Sequence, residues 1–426
     1  MTQVEVLVIG AGLAGLVTAW QAAQGGRKVR LVAKGWGALF WHAGCVDVLG
    51  YYPLDAANAV SSPRQALAQL VWEHPRHPYA LVGIERIEAA LSALQALCEA
   101  ANYPLHGSLD HNWLLPSAVG AFRPTCLAPE TMTAGDLTRR EPMLIVGFEH
   151  FRDFYPELVA DNLLEQEVLA RSVRLDLPAL RDRRFVTAPL LADLFERADF
   201  RQQVAEALRP KLGSAVRVGF PAVLGLRRAA EVKRDLEAML GREVFEIPSL
   251  PPSVPGMRLH NILVEAIQRQ GGEVLTGMEA VRADAANGQV QAVWTEAAAR
   301  LKPHRARTFV LATGGLLGGG IVAEPDGTLR EVIFGLPVEG PHERVQWFRL
   351  DFLAPAGHPV YSSGLTVDEH FRPVDADGAP VYTNLFAAGT TLAGGEVVRE
   401  RSFDGVALAT GYAVGTQLAA QAQEAA

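Results

Sequence analysis

The chain has 426 residues, 49% of them hydrophobic and 20% charged, enough apolar side chain for one large or two intimately joined domains. A formal net charge of −8 and the lack of any basic tract exclude the electrostatic footprint of a nucleic-acid binder. The three cysteines, Cys45, Cys98 and Cys126, stand far apart and form no CxxC pair or four-ligand cluster, which excludes an iron–sulfur or zinc centre and points to a reducing compartment.

Met1-Thr2-Gln3 carries no basic leader and runs straight into apolar residues. The longest apolar runs, 4–20 and 309–323, are broken by glycine and shorter than the ~20 residues of a spanning helix. A chain that reaches a membrane only through a partner or a surface patch is therefore expected. Residues 4–9, Val-Glu-Val-Leu-Val-Ile, suit a strand covered on both faces. Gly10, Gly12 and Gly15 follow at the spacing of the dinucleotide-binding fingerprint, and residues 13–23 read as an apolar helix. Gly10 would allow the tight turn, Gly12 would let the backbone approach a phosphate, and Gly15 would let the helix pack on the strand. The free N–H groups of the first helical turn, at Leu13 and Ala14, favour an anion.

Residues 28–33, after Gly25-Gly26, complete a βαβ unit. Such second strands commonly end in an acidic residue that hydrogen-bonds the ribose of an adenosine. Here Ala33-Lys34 occupy the position. Either Lys34 is a solvated surface charge, or the cofactor lacks an adenosine half, or Lys34 meets a phosphate. Residues 35–50 then form a loop rich in glycine and aromatics. Ala43, Gly44 and Cys45 are small enough to lie against a flat flavin ring, and His42 beside them is a candidate for chemistry.

Helical periodicity marks 66–73 and 84–101, the latter apolar at Ile84, Ile87, Leu91, Leu94 and Leu97. Residues 103–125 are loop-rich, 143–148 form a buried strand, 161–172 and 188–208 read as helices, 216–226 as a strand-like run and 231–240 as a helix. Residues 61–250 are expected to be an inserted α+β substrate or cap domain, and 1–60 with 251–426 a discontinuous flavin-binding domain. The Pro-rich stretch 251–258 reads as a rigid return linker, followed by a helix at 259–270 and strands at 273–276 and 289–294. Residues 307–311 run into Thr313-Gly314-Gly315, 384–388 end at Gly389, and a helix over 405–423 closes the chain. The fold class is α/β, a Rossmann-like FAD/NAD(P)-binding domain around a parallel sheet. Gly-Ala-Gly-Leu-Ala-Gly, Phe-Val-Leu-Ala-Thr-Gly-Gly and Asn-Leu-Phe-Ala-Ala-Gly, in that order and each at a strand end, point to the two-dinucleotide-fold flavoproteins.

The middle of the chain is more specific. Residues 112–120 (Asn-Trp-Leu-Leu-Pro-Ser-Ala-Val-Gly), 123–129 (Arg-Pro-Thr-Cys-Leu-Ala-Pro), 144–148 (Leu-Ile-Val-Gly-Phe) and 152–156 (Arg-Asp-Phe-Tyr-Pro) resemble the B subunits of the anaerobic glycerol-3-phosphate dehydrogenases. So do 251–259 and the tail from 371 through 408, so that the resemblance covers nearly the whole chain. It implies oxidation of sn-glycerol 3-phosphate to dihydroxyacetone phosphate, with electrons passing through flavin to a quinone pool that ends at fumarate or nitrate. It implies FMN as the cofactor, with which the missing acid after the second strand agrees. FAD stays open, because the full glycine turn would also hold a pyrophosphate. The partners it implies are a larger FAD-containing A subunit and an iron–sulfur, membrane-anchoring C subunit, on the cytoplasmic face of the membrane.

Alcohol oxidation needs a base, and a phosphorylated substrate needs a cationic cradle. Loop-borne Arg123, Arg152, Arg258 and Arg399, with Arg401, are candidates for the cradle. His42 and His260 are the preferred base candidates, ahead of His150 and His358. Glu396, in the loop after Gly389, is expected near the flavin, and Asp404 reads as a charge at the last helix's start. Two other functions remain open: a flavin electron-relay and assembly protein without chemistry of its own, and a fumarate-reductase-like flavoprotein, whose paired His/Arg site has no evident counterpart.

Overall fold

The structure is a computed structural model that describes residues 4–54, 59–352, 354 and 356–423. It divides into two compact units, one of residues 1–38, 47–92 and 260–426, the other of 39–46 and 93–259. The divisions fall elsewhere than the expected 60/61 and 250/251. The helices Pro63–Glu73 and Pro78–Val82 belong with the first unit, and the short loop 39–46 with the second.

The first unit is built on β1 (Val4–Ile9), β2 (Val29–Ala33), β3 (Glu273–Thr276), β4 (Ala306–Leu311) and β5 (Leu385–Ala387). They pair in parallel in the order β3-β2-β1-β4-β5. Val6, Leu7, Val8 and Ile9 of β1 are all buried, as a central strand covered on both faces requires. The strand order reverses beside β1, so the crevice at the carboxyl ends of β1 and β4 is the switch point at which such sheets bind ligands. α1 (Leu13–Gln24) follows β1, and α2 (Phe403–Gln423) closes the chain against it. A Cβ on Gly411 would lie 2.5 Å from the Ala14 carbonyl oxygen, so only glycine permits this approach. Thr18 Oγ1 donates to the Ala14 and Gly411 carbonyls at 2.8 and 3.1 Å and ties the two helices together.

The second unit has its own parallel sheet, in the order Glu243–Ile247, Arg217–Pro221, Met143–Phe148, Ala170–Leu175. Antiparallel pairing in this unit is confined, among the described residues, to short pairs such as Trp113–Pro116 with Phe122–Thr125. Phe195 meets Phe148, Phe200 and Phe220 edge-on in its core, and Phe148 stacks near-parallel on Phe220. Fully buried Arg217 donates to the carbonyls of Ala134, Asp136, Arg139 and Glu141, which solvate its charge in place of a counter-ion.

Three expected elements are corrected. The helix expected at 161–172 is Pro156–Glu165, started by Pro156 in its first turn and ended by left-handed Glu167; Ala170–Leu175 is a strand paired along Met143–Phe148. The helix expected at 188–208 breaks into Ala188–Phe195 and Ala198–Leu208 because Arg197 is extended, while Glu196 accepts hydrogen bonds from the amides of Arg227 and Arg228. The return linker is largely helical: Val254–Arg269 begins behind Ser253, whose Oγ accepts from the Gly256 amide at 3.0 Å.

Candidate functional site

At the carboxyl end of β1 the three glycines divide their roles as their geometry requires. Gly10 has φ +115°, and a Cβ there would stand 2.2 Å from the Ala312 carbonyl oxygen, just past the carboxyl ends of the paired strands β1 and β4. Gly15 would meet the Gly10 carbonyl at 2.0 Å, so its absent side chain sets how closely α1 sits on the turn. A Cβ on Gly12 would meet nothing within 4 Å. Gly12 caps α1 without a side-chain hydrogen bond, and no acidic residue stands in the first turn. An open face before a helix N-terminus that lacks a side-chain cap, at the sheet's switch point, has the shape and dipole that suit a phosphate. Leu13 and Ala14 form its first turn.

The neighbouring strand ends complete this side. Gly314 is left-handed, and the Thr313 hydroxyl is buried with no hydrogen-bond partner among the described residues. Gly389, also left-handed, abuts the Ala14 side chain and donates its amide to Thr410 Oγ1 at 2.8 Å. The chain after β2 folds back so closely that a Cβ on Gly37 would lie 2.6 Å from the Gly12 nitrogen. Thus Gly10, Gly12, Leu13, Ala14, Gly15, Thr313, Gly314 and Gly389 converge on one crevice. Lys34 does not join them: it is exposed and pairs with exposed Glu279 at 2.9 Å, so the end of β2 presents a surface ion pair.

Several other expected residues have structural partners. His42, Ala43, Gly44 and Cys45 lie in the second unit, where left-handed Gly44 packs on Pro255, Cys45 is buried against Met132, and Val46 pairs with Leu127. Arg258 must be corrected as a substrate ligand. It is buried and forms a bidentate pair with Glu246 at 2.6 and 2.8 Å, its remaining donors reaching the Gly225 carbonyl and Tyr103. Arg123 is buried on the short hairpin of this unit, and Arg152 is exposed over the Phe185 ring. In the first unit, His260 is buried on the helix Val254–Arg269, and burial holds its imidazole below the ordinary value. His358 engages both ring nitrogens with backbone, at Arg349 and Phe352. Left-handed His150 is exposed, and Arg401 faces Asp47 at 3.5 Å.

Glu396 Oε2 pairs with Arg399 at 3.2 Å, and Arg399 also donates to the Leu54 carbonyl. Burial pushes the Glu396 carboxyl above its ordinary value against the pull of Arg399 and of the His358 backbone. Behind Glu396 stands a pair that the sequence did not reveal. His77 Nδ1 accepts from the Tyr79 amide at 3.1 Å, which leaves the proton on Nε2 to be donated to Glu400 Oε2 at 3.1 Å. Glu400 also accepts from Ser402 Oγ at 2.6 Å and from the Glu396 amide at 2.8 Å. Burial is the largest influence on the Glu400 carboxyl and raises it, but these donors together outweigh it and leave the group below its ordinary value. His77 and Glu400 are 323 residues apart, so no local motif could have announced them.

The geometry of the first unit calls for a flavin or dinucleotide phosphate, and the comparisons with known proteins agree. A family model described as an FAD binding domain matches residues 5–400. A Halobacterium salinarum protein, named as the probable B subunit of an anaerobic glycerol-3-phosphate dehydrogenase, is 38% identical over 97% of each chain. The B subunit of the Pectobacterium atrosepticum anaerobic glycerol-3-phosphate dehydrogenase is 34% identical over 97% of this chain and 98% of its own, and that of Yersinia pestis 31% over 97% of each. With a glycine cradle at the switch point of a parallel sheet, and with relatives this similar from end to end, the chain belongs to the FAD-binding-domain flavoproteins and, among them, to the family of anaerobic glycerol-3-phosphate dehydrogenase B subunits.

Proposed function

We propose that this chain oxidises sn-glycerol 3-phosphate to dihydroxyacetone phosphate at a bound flavin and passes the electrons to a quinone, as the B subunit of an anaerobic dehydrogenase complex. The observation that carries this reading is the end-to-end likeness to proteins named for that activity, on a chain whose own crevice is shaped for a nucleotide phosphate. The flavin, when bound, supplies the two-electron acceptor. The protein's part is to hold its phosphate at Gly12 and the first turn of α1, to orient the substrate, and to take the hydroxyl proton.

FMN is the flavin we assign. The end of β2 offers Ala33 and a surface-paired Lys34 in place of a ribose acceptor, which leaves an adenosine half without its usual hydrogen bond. FAD is the second reading, favoured by the matching family's description and by a glycine turn that can take a pyrophosphate. Acid extraction of the cofactor followed by chromatography decides between them: we expect FMN, and recovery of FAD alone would overturn the assignment. The partners of this reading are an FAD-containing A subunit and an iron–sulfur, membrane-anchoring C subunit, which place the chain at the cytoplasmic face of the membrane. Among the described residues no helix is long and apolar enough to cross a membrane. The activity is tested by anaerobic mixing of the flavin-loaded chain with glycerol 3-phosphate. Bleaching of the flavin is expected, whereas an unbleached flavin would favour an electron-relay role.

A further inference from the structure

Gly389 lies just past the carboxyl end of β5, beside the first turn of α1, and both of its backbone groups are engaged within the protein. Its amide donates to Thr410 Oγ1 at 2.8 Å, and its carbonyl accepts from the Leu392 amide at 3.1 Å. The amide is therefore not a donor for a ligand. What Gly389 presents instead is a surface without a Cβ. Its φ is +85°, and the Ala14 side chain lies 2.8 Å from where a Cβ would stand, so the turn sits as close to α1 as glycine alone allows. Glycine also rotates more freely than any other residue, so a left-handed glycine does not hold its own conformation. Something else must hold it.

Thr410 is built to do so. It lies within α2 and is fully buried. Its hydroxyl proton goes to the Val406 carbonyl at 2.6 Å, one turn back, which fixes Oγ1 and leaves its lone pairs to the Gly389 amide. Threonine is a poorer helix former than alanine, and a bond back to its own helix slightly destabilises that helix, so helix formation does not account for a threonine here. The Gly389 amide does. The next residue, Gly411, brings α2 against the Ala14 carbonyl, and its own carbonyl accepts from Thr18 Oγ1 at 3.1 Å. Adjacent residues of one helix thus hold the end of β5 and the first turns of α1.

We propose that Thr410 is a positioning residue for the flavin: its Oγ1 locks Gly389 in the left-handed turn before the cofactor arrives, so that Gly389 meets the flavin as a bare wall and not as a hydrogen-bond donor. This rests on the reading of the crevice as the flavin site given under Proposed function. Without the Oγ1 acceptor, the peptide between Ala388 and Gly389 is free to rotate, and only the molecules that have the turn formed can bind. The apparent affinity then falls by that fraction.

One test needs no variant. The full chain is stripped of flavin, and amide hydrogen exchange is read at single residues by mass spectrometry with fragmentation, before and after FMN is added. The Gly389 amide should exchange as slowly as the amides of β5 already in the cofactor-free protein. A second test titrates the cofactor-free protein with FMN and follows the quenching of FMN fluorescence. Thr410→Val, of the same shape but without an acceptor, should bind FMN about tenfold more weakly than wild type, the contribution of one hydrogen bond. Thr410→Ser, which keeps the hydroxyl, should bind within about threefold of wild type. Three results overturn the proposal and leave the flavin site standing: a Gly389 amide that exchanges freely until FMN is added, a Thr410→Val protein that binds FMN as tightly as wild type, or a Thr410→Ser protein as weak as the valine variant. A wild type that binds neither FMN nor FAD overturns the flavin reading and this proposal with it.

Discussion

Gly10 and Gly12 sit two residues apart and have opposite requirements. At Gly10 the left-handed backbone and the Ala312 carbonyl 2.2 Å from a would-be Cβ make glycine a condition of the fold. At Gly12 there is room for a side chain until a phosphate arrives. Gly10→Ala is therefore expected to destabilise the protein by at least about 1–3 kcal/mol, the strain of a non-glycine residue in that region, and to lose flavin with the fold. Gly12→Val is expected to keep the melting temperature of the cofactor-free protein within a few degrees and yet purify colourless. A yellow Gly12→Val protein would remove the phosphate from this cradle. Arg258 illustrates the reverse case, a residue whose chemistry invites a functional role and whose burial assigns a structural one. Truncating it as Arg258→Met leaves Glu246 charged, buried and unpaired, at a cost of about 3–5 kcal/mol in a denaturant titration. Arg258→Met combined with Glu246→Leu should be less destabilised than the single variant, because no orphan charge remains. The glycines were legible in the sequence because their spacing is local. Arg258 and the His77–Glu400 pair were not, because their partners come from distant segments.

At the scale of elements, the nucleotide half of the sheet declares itself by runs of apolar residues that end in glycine. β1, α1, β4, β5 and α2 all lie within two residues of where those runs place them. The second unit hides its sheet better. Ala170–Leu175 mixes two arginines and a serine with apolar residues and becomes a strand only by pairing along Met143–Phe148, while Glu243–Ile247, with two glutamates in five residues, gives no apolar run to notice. Helix packing beneath the cradle supplies a test at this scale. Gly411→Ala would drive a Cβ to 2.5 Å from the Ala14 carbonyl, and an overpacked contact of this kind costs about 1–3 kcal/mol. Ala14 lies in the first turn of the cradle helix, so the variant should also bind flavin more weakly, as read by cofactor released on dilution. A variant with unchanged stability would show that α1 and α2 are free to separate.

For the whole molecule, two facts meet. Segments from both ends of the chain and one between them build a single unit around a parallel sheet, and its switch point leaves open space before a helix N-terminus at Gly12. The same chain aligns over 97% of its length with relatives named as one component of an anaerobic dehydrogenase. The family was legible from motifs in the middle of the sequence, and the flavin-binding class from those at its two ends. The His77–Glu400 pair was not, because its two members are 323 residues apart and only the fold brings them together. The central claim is that this chain's own flavin takes electrons from glycerol 3-phosphate. It is tested most directly by mixing the flavin-loaded chain, without its partner proteins, with glycerol 3-phosphate under strict anaerobiosis in a stopped-flow spectrophotometer. Bleaching of the flavin band with release of one dihydroxyacetone phosphate per flavin is the predicted result; a flavin that stays oxidised while dithionite still reduces it would contradict the claim.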